Sequence, residues 1–205
     1  MIANTFKQLL GRAALALSLA LSANAALADV LLNVNINTAS FGAGSAGFLD
    51  FQFNGAGLGE PLATATMSEL NGFDLSKFGT PDGDVVAVPG GFQFSNTSPL
   101  NALLYEATFG GVFSFNLTFA GNAIDAVSSR FSVQAYDANG NAAGNLTDPL
   151  LLALDWSLSP AGAPAATPAF VDSAVGATAV PEPSSLLMAA LGLAVLGFVR
   201  RQRQA

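Results

Sequence analysis

The sequence contains no cysteine and no histidine. Without cysteine, no disulfide can staple the fold and no thiolate can serve as nucleophile or soft metal ligand. Without histidine, the commonest general base and metal ligand is missing, and every Ser-His or Cys-His nucleophile pair is excluded. A Ser-Lys pair in the central region would have Lys77 alone to draw on. Basic residues are also scarce, seven Lys and Arg against 14 Asp and Glu, for a formal net charge of −7. The deficit is concentrated in residues 29–180, where 13 acids face only Lys77 and Arg130, a balance of −11. Phosphate backbones are bound by Lys and Arg that displace counterions, so a nucleic-acid partner is not expected here. Nothing in the pattern asks for a cofactor.

The remaining basic residues sit at the two ends. Lys7 and Arg12 precede an apolar run over 13–21, and Ala26-Leu27-Ala28 follows as a small-x-small cleavage site. That order predicts a secretory signal peptide over 1–28, entry into Sec-type export and a mature start at Asp29. Ala23-Asn24-Ala25 is a second candidate site. At the other end Pro181-Glu182-Pro183 is followed by an apolar run over 186–199 and by Arg200, Arg201 and Arg203. As a helix the run would measure about 21 Å at roughly 1.5 Å per residue. The hydrocarbon core is roughly 30 Å, so spanning calls for help from Ser184, Ser185 and snorkelling arginines. Basic residues stay cytoplasmic, so both ends point inward and the domain between them is expected outside the inner membrane.

Between the ends the dominant signal is period-two alternation. Val30, Leu32, Val34 and Ile36 alternate with Asn33, Asn35 and Asn37, and Leu49, Phe51 and Phe53 with Asp50 and Gln52. Ala63, Ala65 and Met67 follow the same rule, as do Val86 and Val88, Phe92 and Phe94, and Phe131, Val133 and Ala135. The clearest runs are Phe113-Phe115-Leu117-Phe119 and Leu152-Leu154-Trp156-Leu158. Successive strand side chains point to opposite faces, so each run builds one apolar and one wettable face. Asn54-Gly55, Asn71-Gly72, Pro81-Asp82-Gly83, Pro89-Gly90, Gly110-Gly111 and Asn139-Gly140 supply turns between them. About eight such strands predict an all-β, antiparallel β-sandwich or jelly-roll-like domain over 29–158. The stretch 67–78 reads equally as a helical turn or a loop. Residues 159–179 shift to Ala, Pro, Gly and Thr and predict an extended linker, with one further edge strand at Ala169-Phe170-Val171 as the alternative.

Gly42-Ala43-Gly44-Ser45-Ala46-Gly47 has the letters of a dinucleotide fingerprint but opens a strand pattern where that motif requires a helix, so it reads as a loop. Asp137, Asn139, Asn141, Asn145 and Asp148 place oxygen side chains at a spacing similar to a calcium loop. The glycine position, the short final Asp and the flanking strands all depart from that pattern, which favours a polar hairpin. Asp82-Gly83-Asp84 reads as a turn. Asp50, Glu60, Glu69, Asp74, Glu106, Asp125 and Asp155 are candidates for paired-carboxylate hydrolysis, with no pair singled out. Trp156 is in phase with leucines and belongs to the core, whereas Tyr136 follows the polar phase of Arg130, Ser132 and Gln134.

The tail over 180–205 resembles the PEP-CTERM sorting signal, with Pro181, Glu182 and Pro183 as the motif, 186–199 as the membrane segment and Arg200, Arg201 and Arg203 as the basic stop. The resemblance implies recognition and cleavage by an exosortase, a transient inner-membrane anchor, and a Gram-negative bacterium with exopolysaccharide or biofilm genes. Gly47 to Asn54 is also similar to a stretch in a subset of these proteins whose β-rich domain has no established activity. The expectation is therefore an exported, non-enzymatic envelope or matrix protein. An exopolysaccharide-binding module is the alternative, and a carboxylate hydrolase ranks behind both.

Overall fold

The computed structural model describes residues 29–180 apart from 58, 145, 161 and 162; the signal-peptide and tail assignments lie outside the described residues. Eleven strands run in the order β1 (Val30–Asn37), β2 (Ala46–Gly55), β3 (Ala63–Asn71), β4 (Val85–Val88), β5 (Gly91–Ser95), β6 (Ala102–Thr108), β7 (Val112–Gly121), β8 (Ser129–Asp137), β9 (Leu150–Leu158), β10 (Pro164–Val171) and β11 (Val175–Ala179). They form a six-stranded sheet, β11-β1-β7-β3-β5-β4, and a five-stranded sheet, β10-β9-β8-β2-β6. Every pairing is antiparallel. The expected antiparallel sandwich is what the chain forms.

The alternation read from the sequence is the alternation of burial. Leu49, Phe51 and Phe53 of β2 and Leu117 and Phe119 of β7 are fully buried, while Asp50 and Gln52 lie on the other face. Phenylalanines from the two sheets meet edge-on or tilted. Phe51 and Phe115 are 5.8 Å apart at 87°, Phe53 and Phe119 5.9 Å, and Phe94 and Phe131 6.0 Å. Trp156 stacks on Phe119 at 5.4 Å and its indole N–H donates to the Asn122 carbonyl at 3.0 Å. Each such ring contributes roughly 1.5–3 kcal/mol through removal from water.

Three stretches differ from expectation. β6 has no clean alternation in sequence because Leu103 and Leu104 are adjacent; Leu103, Tyr105 and Ala107 point inward, and Leu104 stays 42% exposed. The 67–78 stretch, open between a helical turn and a loop, is strand up to Asn71 and then a loop that carries a helical turn. β3 runs on to Asn71 with an irregular register after Ser68, and a short 3-10 turn follows at Leu75–Lys77. The Asp74 carboxylate accepts the Ser76 N–H at 3.0 Å to cap that turn, and Phe73 and Phe78 pack against Tyr105.

The expected linker over 159–179 is corrected most. It supplies β10 and β11, one on the edge of each sheet. Proline is tolerated there because Pro164 is the first residue of an edge strand and Pro168 sits where the register slips before Phe170. β11 pairs with β1, from Leu32 opposite Ala179 to Ile36 opposite Val175.

Candidate functional site

The two ends of the domain meet. Val30 opens β1, Ala179 closes β11 beside Leu32, and the Val180 N–H donates to the Leu31 carbonyl at 2.9 Å. The expected mature start, Asp29, is exposed and one residue before β1. The proline-glutamate-proline motif therefore follows the last paired residue directly. Ala26, Ala28, Pro181, Glu182, Pro183, Arg200, Arg201 and Arg203 themselves lie outside the described residues.

The suggested calcium loop is built as a hairpin between β8 and β9. Asp137 Oδ1 accepts the backbone N–H groups of Asn139 at 2.8 Å and Asn141 at 2.9 Å, and the Asn141 side chain reaches the same carboxylate. The Asn141 amide is the main reason the Asp137 carboxyl stays below the usual carboxylate range. Asp148 sits apart in a turn of its own, accepting the Leu150 N–H at 2.9 Å. Asn145 is outside the described residues. The loop's own amides thus account for both acids. Asp84 in the Asp82-Gly83-Asp84 turn is similarly occupied, by the Thr97 hydroxyl first and then Ser98, which lower its pKa. Among the described residues no three acidic side chains group as a metal ion would require.

The glycine-rich hexapeptide is a loop leading straight into β2. Gly42 and Gly44 have positive φ, 98° and 79°. Gly47 is held for space: a methyl group there would overlap the Phe109 ring and the Tyr136 carbonyl oxygen. Phe109 in turn packs edge-on against Phe41 at 5.5 Å.

The carboxylate candidates disperse, with one exception. Asp155 is paired with Arg130 at 2.6 Å and 3.0 Å through two guanidinium nitrogens. Glu69 Oε2 accepts from Asn116 at 2.7 Å on the outer face of the six-stranded sheet. Glu60 lines a cavity of about 420 Å³ with Asn96, Thr97 and Ser98. Its Oε2 atom is buried without a hydrogen-bond partner among the described residues.

The exception is Asp50, on the outer face of the five-stranded sheet. β2 presents Phe48, Asp50, Gln52 and Asn54 in a line, all half-buried. Phe48 stands opposite Glu106 on β6 and Tyr136 on β8; Asp50 stands opposite Leu104 and Gln134. Asn54 donates to Gln52 Oε1 at 3.1 Å, and Gln52 donates to Asp50 Oδ2 at 2.7 Å. Tyr136 donates its hydroxyl proton to Gln134 Oε1. Burial pushes the Asp50 carboxyl above its ordinary value, against the Gln52 hydrogen bond. Burial also raises Tyr136, helped by the negative charges of Asp50 and Asp148. Shallow grooves of about 380 Å³ and about 310 Å³ flank this line, at the Asn54 and Phe48 ends. Phe48 was readable from sequence, since it falls in the polar phase of β2, but it was hidden by its apolar neighbours Leu49 and Phe51.

Residues 179–204 match the family model of the PEP-CTERM protein-sorting motif. The match contains Pro181, Glu182, Pro183 and the three terminal arginines, so the tail is a PEP-CTERM signal. It marks an exosortase-targeted exported protein and implies transient membrane sorting in a Gram-negative bacterium. No curated protein and no solved structure matches the chain.

Proposed function

We propose that the chain is a non-enzymatic cell-envelope or extracellular-matrix protein whose cargo is the β-sandwich. The leader over 1–28 commits it to Sec-type export, and the apolar run over 186–199 holds it briefly in the inner membrane. An exosortase then cuts near Pro181-Glu182-Pro183 and releases the sandwich to the cell surface or the medium. The observation that carries this reading is the sorting motif at 179–204 set directly against the last strand.

That junction has a mechanical consequence. Val180 is hydrogen-bonded into the sheet, and six residue steps separate it from Leu186, a reach of at most about 20 Å. Until it is cut, the domain rests against the outer surface of the membrane. The non-enzymatic reading is supported by how the acids are used: Asp74 and Asp137 stabilise their own turns, Asp84 ties its turn to Thr97 and Ser98, and Asp155 holds Arg130. Alanine at Pro181, Glu182 and Pro183 together, in a producing bacterium, should leave uncut protein in the membrane fraction. Release of that variant at the wild-type rate would refute the proposal.

A further inference from the structure

We infer that the outer face of the five-stranded sheet, centred on Phe48, Asp50 and Tyr136, binds a neutral polysaccharide. The inference rests on the delivery reading only for where the glycan is met; binding itself is independent of sorting.

The face combines the two chemistries that sugars require. Pyranose rings present apolar C–H faces, which stack on aromatic rings, and equatorial hydroxyls, which pair with carboxylates and side-chain amides. Phe48 and Tyr136 are cross-strand partners, which puts an aromatic residue on each of two adjacent strands at one end of the line, and the Tyr136 ring leans along β8 toward Gln134. Asp50, Gln52 and Gln134 follow as acceptors and donors. Asp50 accepts one hydrogen bond from a side chain, Gln52, although its partial burial already disfavours the carboxylate. A hydroxyl donor from a ligand would satisfy what the protein leaves open.

Shape points to a polymer. From Phe48 to Asn54 the outward side chains run about 20 Å at roughly 3.3 Å per residue. The grooves at both ends continue the track, one lined by Gln52, Asn54 and Ser132, the other by Phe48, Glu106 and Thr108. Charge decides which polymer. Residues 29–180 carry a formal −11. Arg130 at one groove is already paired with Asp155, and Lys77 shares the lining of the other with Glu106. Uronic, sulfated or phosphorylated chains would be repelled. A second copy of the same face would set Asp50 and Glu106 against their own counterparts. The outer face of the six-stranded sheet is a weaker candidate, because its facing outward pairs, Asn33 with Asn116, Asn35 with Ser114 and Thr66 with Gln93, offer no aromatic ring.

The test is affinity electrophoresis of the full chain in a polyoxyethylene detergent, which has no sugar headgroup to compete. The gels contain dextran, hydroxyethyl cellulose or alginate. Retardation by at least one neutral polymer and none by alginate is expected. Phe48→Ala, Tyr136→Ala and Asp50→Asn should each weaken it about tenfold or more in a domain that melts no earlier than the wild type. Thr66→Ala, on the opposite sheet, should leave it intact. If an alanine variant melts early, Asp50→Asn and Tyr136→Phe carry the test, since both keep the side chain's shape. The inference is overturned by no retardation in either neutral polymer, by equal retardation in alginate, by insensitivity to these substitutions, or by a face that only self-associates.

Discussion

The Val180 N–H is hydrogen-bonded to the Leu31 carbonyl oxygen at 2.9 Å, which fastens the start of the sorting motif to the first strand of the domain. An enzyme that cuts near Pro181 therefore meets a substrate whose upstream side is an edge strand. β11 is a lightly buried edge strand: Val175 alone among its five residues is buried.

This contrast predicts a gradient in hydrogen exchange. Amides of β11 and Val180 should exchange roughly 100-fold faster than those of Phe51 and Leu117, which lie in central strands with fully buried side chains. Exchange mass spectrometry under native conditions measures it. Equal protection would mean that β11 is as fixed as the core and cannot peel away for processing.

A second prediction concerns Asn101, a fully buried polar residue. Its side chain donates to the carbonyls of Phe53 at 3.0 Å and Ser98 at 2.9 Å and accepts the Asp84 N–H at 2.8 Å. Asn101→Ala strips partners from three backbone groups at once and should cost about 3 kcal/mol or more. Urea unfolding followed by circular dichroism checks this. A loss under about 1 kcal/mol would show that water replaces the side chain at no cost.

The raised Asp50 pKa gives a pH dependence with a defined sign. Just above the ordinary value of 3.8, the folded state holds the proton more tightly than the unfolded chain. Its contribution to stability therefore falls as pH rises through that window. Asp50→Asn should stabilise the domain at neutral pH, and the gain should vanish below about pH 3.8. Asp74, Asp84 and Asp137, whose carboxyls are lowered, favour the folded state above the window and lose that effect as pH falls. They are common to both proteins and drop out of the comparison. Urea midpoints of the pair at pH 7 and pH 3 measure the difference; a gain of the same size at both would contradict the burial account.

The legibility of this chain follows from where side chains alternate cleanly. β2 and β7 could be read directly, because phenylalanine at every second position leaves one way to bury a strand. β6 could not, since Leu104 breaks the alternation on a face that is half covered by neighbours. β10 was concealed by Pro164 and Pro168, which exclude a central strand but not an edge. Edge position is a tertiary fact that composition does not carry. The candidate face was partly visible. Tyr136 stood out in a polar phase, whereas the pairing that puts Phe48 beside it depends on strands more than 80 residues apart.

The sorting account stands most directly on the intact mass of the protein released by its producer. It predicts a chain that begins at Asp29 and ends at or near Pro181-Glu182-Pro183, with the apolar run and the terminal arginines gone. A released product that still ends at Ala205 would contradict it.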